Sequence, residues 1–354
     1  MFERNALRRR VEILDPLRFV AAMSVVFYHY GFRGAAADGL TNISLPGVSH
    51  LAKYGYLGVE MFFMISGFII AHSAHGRNPR EFAIARVIRI YPGFVACMTL
   101  TALVLLWAAP GVSVSPIQWA ANLIIYAPGL GQEYVDGVYW TLVVEITFYA
   151  WVALLLAVGL FDRYAMLIAL AWLSGSLMNQ LVVGSWQVEQ LLITAYSGFF
   201  AIGLAIHELH RKRASKLGIL VLAYAVALSV FQAIQRIPRL NATYAGDLSP
   251  WVVGGVVVAS AALMLSVLLV RRVPVSRGVL LAVGGLTYPL YLLHQFIGYT
   301  IFNRFAGIVP TWPLVLVVVA AMLALSWAVW RWVERPAQKT LKALLSGTSP
   351  NPVK

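Results

Sequence analysis

The chain has 354 residues, 60% of them hydrophobic and 12% charged, with mean hydropathy +0.77, more apolar surface than a soluble protein of this length can hide. Its net charge of +13 would suggest a nucleic-acid partner in a soluble protein, yet it carries no nucleic-acid module, Walker loop or dinucleotide fingerprint. Bilayer-length runs such as LVLVVVAAMLALSWAVW do not alternate as barrel strands do, so the reading is all-α: a polytopic integral membrane protein with about ten transmembrane helices.

In chain order the apolar pattern predicts spans at 14–32, 54–74, 86–109, 138–160, 164–183, 190–208, 216–235, 249–270, 279–303 and 312–333. A short apolar piece at 117–127 reads as interfacial or re-entrant. With the N-terminus in the cytoplasm, all of the 27 Lys and Arg residues except Arg33, Lys53, Arg236, Arg239 and Arg304 fall on the inside. That asymmetry, alternating loop by loop, supports ten spans with both termini cytoplasmic, and the expected location is the inner membrane. The first run is no cleavable signal, since it carries Arg18 and His29 and no small-residue cleavage site follows it. The expected organisation is one transmembrane domain over 1–337 and a short, basic, disordered tail over 338–354. Loops 33–53 and 110–137 are long and rich in Gly and Pro, either plain connectors or covers of a site opening outward. The single cysteine, Cys97, lies in an apolar run and reads as a buried thiol.

Ionisable residues inside spans need a partner, a wet cavity or a task. In the first span, Asp15, Arg18, Ala22, Val25 and His29 share one stripe. Arg18 and His29 differ by about 20° in direction and roughly 16 Å in height on an ideal helix. Arg18 either snorkels or anchors a ligand, and His29 suits proton transfer near neutral pH. In the second span Glu60, near Gly58, Ser66 and Gly67, can orient His29 or partner an Arg. In the third, Arg86 and Arg89 stand one turn apart, a pair of guanidinium forks suited to phosphate or to lipid headgroups. In the fourth, Trp140 opens the span and Thr141, Glu145 and Tyr149 fall on one face as a buried polar cluster, structural or catalytic. In the ninth, Tyr288, Tyr291, Gln295 and Tyr299 line one side with His294 at its margin, and Pro289 kinks the helix. Glu334 and Arg335 read as structural. No histidines show zinc-ligand spacing, so no metal is expected.

Six stretches then carry a resemblance: LDPLRFVAAMSVVFYH, GYLGVEMFFMISGFII, FAIARVIRIYP, VYWTLVVEITFY, LTYPLYLLHQF and WVERP. In this order, over about residues 12–337, they resemble the acyltransferase-3 family of membrane-bound O-acyltransferases. Glu60 stands where that family usually has Asp, Pro16 where it has Gly, and Thr141 and Pro289 where it has Ser.

The resemblance implies transfer of an acyl group, usually acetyl, from cytoplasmic acyl-CoA (acetyl-CoA) to a hydroxyl of an envelope or exported polysaccharide or glycolipid, with no permanently bound cofactor. It makes His29 the catalytic histidine, Arg18 its motif partner, and Arg86 and Arg89 a second motif. Joined to the charge pattern, it gives an expected route in which Arg86, Arg89 and Arg18 hold the phosphates and the acyl arm runs along the first helix to His29. His29 then takes the acceptor proton, Glu60 or another carboxylate steadies it, and Tyr288 and Tyr291 face the oxyanion. No activated Ser or Cys is visible, so a single transfer is expected. The rival is a secondary transporter or glycan flippase using His29, Glu60 and Glu145 as a proton relay.

Overall fold

The structure is a computed structural model that describes residues 11–108, 113–212, 215–244, 246–270 and 272–346. A backbone in lipid must satisfy its own N–H and C=O groups, which long apolar runs do by forming helices. Among the described residues the regular structure is helical, apart from one isolated bridge between Ala306 and Val309. In chain order the α-helices are α1 (Leu14–Tyr28), α2 (Pro46–Ala52), α3 (Gly58–Ala74), α4 (Pro79–Ala108) and α5 (Pro116–Asn122). There follow α6 (Trp140–Ala157), α7 (Phe161–Met178), α8 (Trp186–Leu192), α9 (Ser197–Arg211) and α10 (Lys216–Gln235). The last are α11 (Ile237–Tyr244), α12 (Pro250–Leu269), α13 (Arg277–Phe305), α14 (Thr311–Val329) and α15 (Arg335–Ser346).

Nine helical stretches among the described residues are long and apolar enough to cross a membrane, from Gly55–Ala74 to Thr311–Leu345. The first expected span is not one of them. It is helical, as α1 continuing into a π-helix at His29–Ala37, but Asp15, Arg18, His29 and Arg33 dilute its hydropathy. The basic tail expected from 338 differs too. Through Ser346 it is helical, as α15, with Leu341, Leu344 and Leu345 set among Arg335, Lys339 and Lys342. Its remainder, 347–354, and residues 1–10, on which the placement of both termini rests, lie outside the described residues.

Two compact units interleave along the chain, so neither is a continuous domain. One comprises Met1–Val25, Tyr54–Pro79 and Val144–Gly284, the other Val26–Lys53, Arg80–Val143 and Gly285–Lys354.

In the first unit α9 is the central helix, packed on α3, α7, α10 and α12. It crosses α3 where Gly67 and Gly203 meet the opposing backbone; a methyl group at either would overlap the carbonyl of Phe200 or of Met64. Phe200 stacks on Phe63 and Phe148 at ring separations of 4.8 and 4.3 Å. The span Trp186–Arg211 is broken between α8 and α9, where Ile193 takes φ 51°, a left-handed conformation that a β-branched residue rarely adopts. Side chains take up the carbonyls at this break. Trp151 Nε1 donates to Leu191 O at 2.7 Å and Trp172 Nε1 to Leu192 O at 2.6 Å. Gln180 and Gln232 donate to Thr194 O at 2.6 and 2.7 Å. A break at membrane depth is tolerated on that condition.

In the second unit the π-helix packs on α2, and the piece expected to be interfacial becomes α5. Its buried Asn122 ties down the following loop, donating to Glu133 O at 3.0 Å and accepting from Val135 N at 3.1 Å.

Candidate active site

The π-helix that succeeds α1 starts at His29. Such wider turns concentrate at functional sites. His29 is 4% exposed and His294, on α13, is fully buried. His29 Nδ1 lies 3.0 Å from His294 Nε2, and the rings meet edge to face, 4.8 Å apart at 70°. His294 Nδ1 lies 3.1 Å from Leu290 O and 2.9 Å from Tyr291 O.

The surrounding groups fix the backbones that carry this pair. The Tyr30 hydroxyl donates to His294 O at 2.6 Å. Gly298 leaves room for that phenol, where any side chain would overlap it. The Tyr299 hydroxyl donates to His29 O at 3.3 Å. Two residues beyond His294, Phe296 N donates to Asp136 Oδ2 at 3.1 Å, while Asp136 Oδ1 accepts from Val138 N at 3.2 Å. Asp136 precedes the span Gly137–Ala157 and is fully buried. Burial pushes its carboxyl up from 3.8 to about 7, against the lowering effect of the two backbone N–H groups and of Arg33.

The remaining expected residues of this unit divide between packing and charge. Tyr291 shares a 3.0 Å hydrogen bond with Thr141 Oγ1, whose own proton goes to Val138 O at 3.0 Å. The Tyr288 hydroxyl donates to Ile90 O at 3.1 Å, which engages the one proton that an oxyanion contact would need. Trp140 begins α6, half-buried. Arg89 is ion-paired with Glu334, which is fully buried and also accepts from Gln338 at 2.8 Å. Arg86 lies 5.7 Å from the centre of the Phe82 ring.

In the other unit Glu60 accepts from Arg236 at 2.5 Å, and Arg236 rests on the Tyr196 ring at 4.6 Å. Glu60 is thus the partner of an Arg, and the group at His29 Nδ1 is an imidazole rather than the carboxylate expected there. Glu145 accepts from Ser66 at 2.8 Å and from Tyr149, so two of the three expected cluster members stay together while Thr141 turns to Tyr291. Arg18 Nη1 lies 4.0 Å from the buried Asp15.

Sequence reading missed the supporting roles of Tyr30, Tyr299 and Asp136. For Asp136 a signal existed: Asp-Gly just before a span is a helix N-cap pattern. Tyr299 stands on the polar side of the ninth span, but neither its partner nor that of Tyr30 is readable, because both lie more than 260 positions away.

Comparison with known proteins agrees with the motif pattern. Residues 11–331 match the model of the acyltransferase-3 family, described as an acyltransferase domain. Nodulation protein 10 of Rhizobium leguminosarum bv. viciae is 26% identical over 94% of this chain and 94% of its own length. BcsY of Komagataeibacter xylinus, a putative membrane-bound transacylase, is 26% identical over 48% of this chain and 43% of its own. YrhL of Bacillus subtilis (strain 168), a putative peptidoglycan O-acetyltransferase, is 25% identical over 50% of this chain and 29% of its own. No solved structure matches significantly. With a family match over nearly its whole length and an all-helical architecture rich in membrane-length helices, this chain belongs to the acyltransferase-3 family and is a multi-pass membrane acyltransferase.

Proposed function

We propose that this enzyme, seated in the inner membrane, moves an acyl group, acetyl in the first instance, from cytoplasmic acyl-CoA to a hydroxyl of an envelope or exported polysaccharide or glycolipid. The observation that carries the reading is the buried pair of imidazoles, His29 Nδ1 against His294 Nε2 at 3.0 Å. His29, neutral, accepts the proton of the acceptor hydroxyl as its oxygen attacks the thioester carbon. The C–O bond forms, the C–S bond breaks, and the proton passes from His29 to the departing thiolate. Acceptor and acyl-CoA thereby become ester and free CoA thiol. Arg86 and Arg89 meet the phosphates of the donor; Glu334 uses one edge of the Arg89 fork, which has five N–H donors in all. The name of one relative, a peptidoglycan O-acetyltransferase, supports a glycan acceptor, and that of another, a transacylase, supports acyl transfer. The excess of Lys and Arg on one side of the spans supports a cytoplasmic donor side. Family membership favours this reading over a transporter.

The test is His29→Ala in membranes that contain the protein at its normal level. Release of free thiol from acetyl-CoA should fall by about a hundredfold or more, and mass spectrometry of envelope glycans should show a lost ester. Unchanged turnover by that variant removes His29 from the role of base.

A further inference from the structure

The hydrogen bonds around His294 determine which nitrogen of His29 carries a proton. Leu290 O and Tyr291 O lie 3.1 and 2.9 Å from His294 Nδ1. Carbonyl oxygens only accept, so Nδ1 of His294 bears the hydrogen. In a neutral imidazole the other nitrogen is then an acceptor, which makes His294 Nε2 the acceptor in its 3.0 Å contact with His29. The donor in that contact is therefore His29 Nδ1–H. A neutral His29 with its hydrogen on Nδ1 carries its lone pair on Nε2, the basic nitrogen.

We propose that His294 is a positioning residue that locks His29 in the Nδ1–H form and so makes Nε2 the nitrogen that takes the substrate proton. This rests on the reading of His29 as the base and adds the group that orients it. The chain of direction runs from backbone to base: two helix carbonyls orient His294, and His294 orients His29. Tyr30, on His294 O at 2.6 Å, and Tyr299, on His29 O at 3.3 Å, hold the two backbones at the spacing this needs.

A neutral orienting ring differs from a carboxylate in its electrostatics. A carboxylate would stabilise the imidazolium that forms on His29 and so raise its affinity for the proton. His294 fixes direction without adding a countercharge, so the proton is held less tightly and is passed on to the thiolate more readily. If His294 itself gains a proton, both of its nitrogens donate. His29 Nδ1 must then accept, its hydrogen moves to Nε2, and the base is switched off. The groups facing the pair are Tyr28 and Tyr30 beside His29, Tyr291 on α13, Tyr299 about two turns further along it, and Asp136, which caps the Phe296 N–H.

The experiment compares His294→Ala and His294→Gln in purified, detergent-solubilised full-length protein, with acetyl-CoA as donor and free thiol as readout. A glutamine carbonyl can accept from His29 Nδ1–H; alanine cannot. The expected result is a fall in kcat of about a hundredfold or more for His294→Ala, with KM for acetyl-CoA within about threefold of wild type and partial rescue by His294→Gln. Nitrogen NMR of ¹⁵N-histidine-labelled protein provides a readout independent of turnover and of the base reading. It should find the His29 hydrogen on Nδ1 in the wild type and on a mixture of both nitrogens in His294→Ala. A His29 hydrogen on Nε2 in the wild type, or wild-type kcat in His294→Ala, overturns the proposal. If His29→Ala turns over normally while the NMR result holds, the reading of His29 as the base falls and the orienting role of His294 stands.

Discussion

In one unit Glu60 meets Arg236 at 2.5 Å, and in the other His29 meets His294 at 3.0 Å. Each is a contact between two ionisable side chains from helices far apart in sequence, and each is largely buried. The first pair is an ion pair: guanidinium and carboxylate neutralise each other, and the Tyr196 ring covers the guanidinium face. Neutralisation of that kind is a structural task. The second pair is neutral. It holds one shared hydrogen between two rings, and each ring has a second nitrogen through which a proton can be gained or passed on. Burial alone does not mark a residue as catalytic; what its partner leaves it able to do decides.

The largest expected effect comes from breaking the charged pair. Glu60→Ala or Arg236→Ala leaves an uncompensated charge in the core of its unit, and loss of about 3–5 kcal/mol of stability follows. Thermal aggregation of detergent-solubilised protein should show it as a clearly lowered midpoint. A double Glu60→Met, Arg236→Met variant should recover most of the loss, because apolar residues of similar size remove the need for neutralisation. A single variant that melts like the wild type would deny the pair its structural role.

The imidazole pair should respond the other way round, losing activity more than stability. His29→Ala leaves His294 Nε2 without the donor it has now, a cost of about 1–3 kcal/mol. Its melting midpoint should therefore lie between those of wild type and Glu60→Ala while thiol release is abolished. Melting as early as Glu60→Ala would erase the contrast between the two pairs.

The sequence made one side of this comparison readable. Glu60 had two readings, and a buried carboxylate in a span must find a cation or a task, so Arg236 was a possible answer from charge alone. By sequence it reads as an outside-loop residue because it stands just past the apolar run that ends at Gln235. The His29–His294 contact was less accessible. His294 stands at the margin of the polar face on an ideal helix, and α1 widens into a π-helix at His29, which departs from 100° per residue. The broken span between α8 and α9 was hidden for a similar reason. Its signals, Trp151, Trp172, Gln180 and Gln232, are capping groups from three other helical segments, and only the fold assembles them. The helical spans, by contrast, were legible because in a membrane the backbone allows few alternatives.

Asp136 follows a third course and gives the smallest of the expected effects. It is buried like Glu60, but its nearest polar contacts are the backbone N–H groups of Val138 and Phe296, with Arg33 acting only through its field. It meets the cost of burial by keeping its proton to about pH 7 instead of 3.8. A carboxyl whose pKa is raised on folding contributes stability that is fully present below its unfolded value and is lost as the pH climbs through the folded value. The wild-type midpoint should therefore fall between pH 3.8 and about 7 and level off above that. Asp136→Asn removes this titration while keeping one carbonyl oxygen for one of the two N–H donors, at a loss of about 1 kcal/mol from the other. The lead of wild type over Asp136→Asn should be widest at the acid end of that window, shrink as the pH rises and reverse in sign within it, because ionising the carboxyl costs more than the one hydrogen bond the variant gives up. Subtracting the variant also cancels whatever other groups contribute equally in both proteins. A constant difference across the window would mean that Asp136 is ionised in the folded protein throughout. Its hold on the turn carrying His294 would then rest on a buried charge, as Glu60's contact does, rather than on a retained proton.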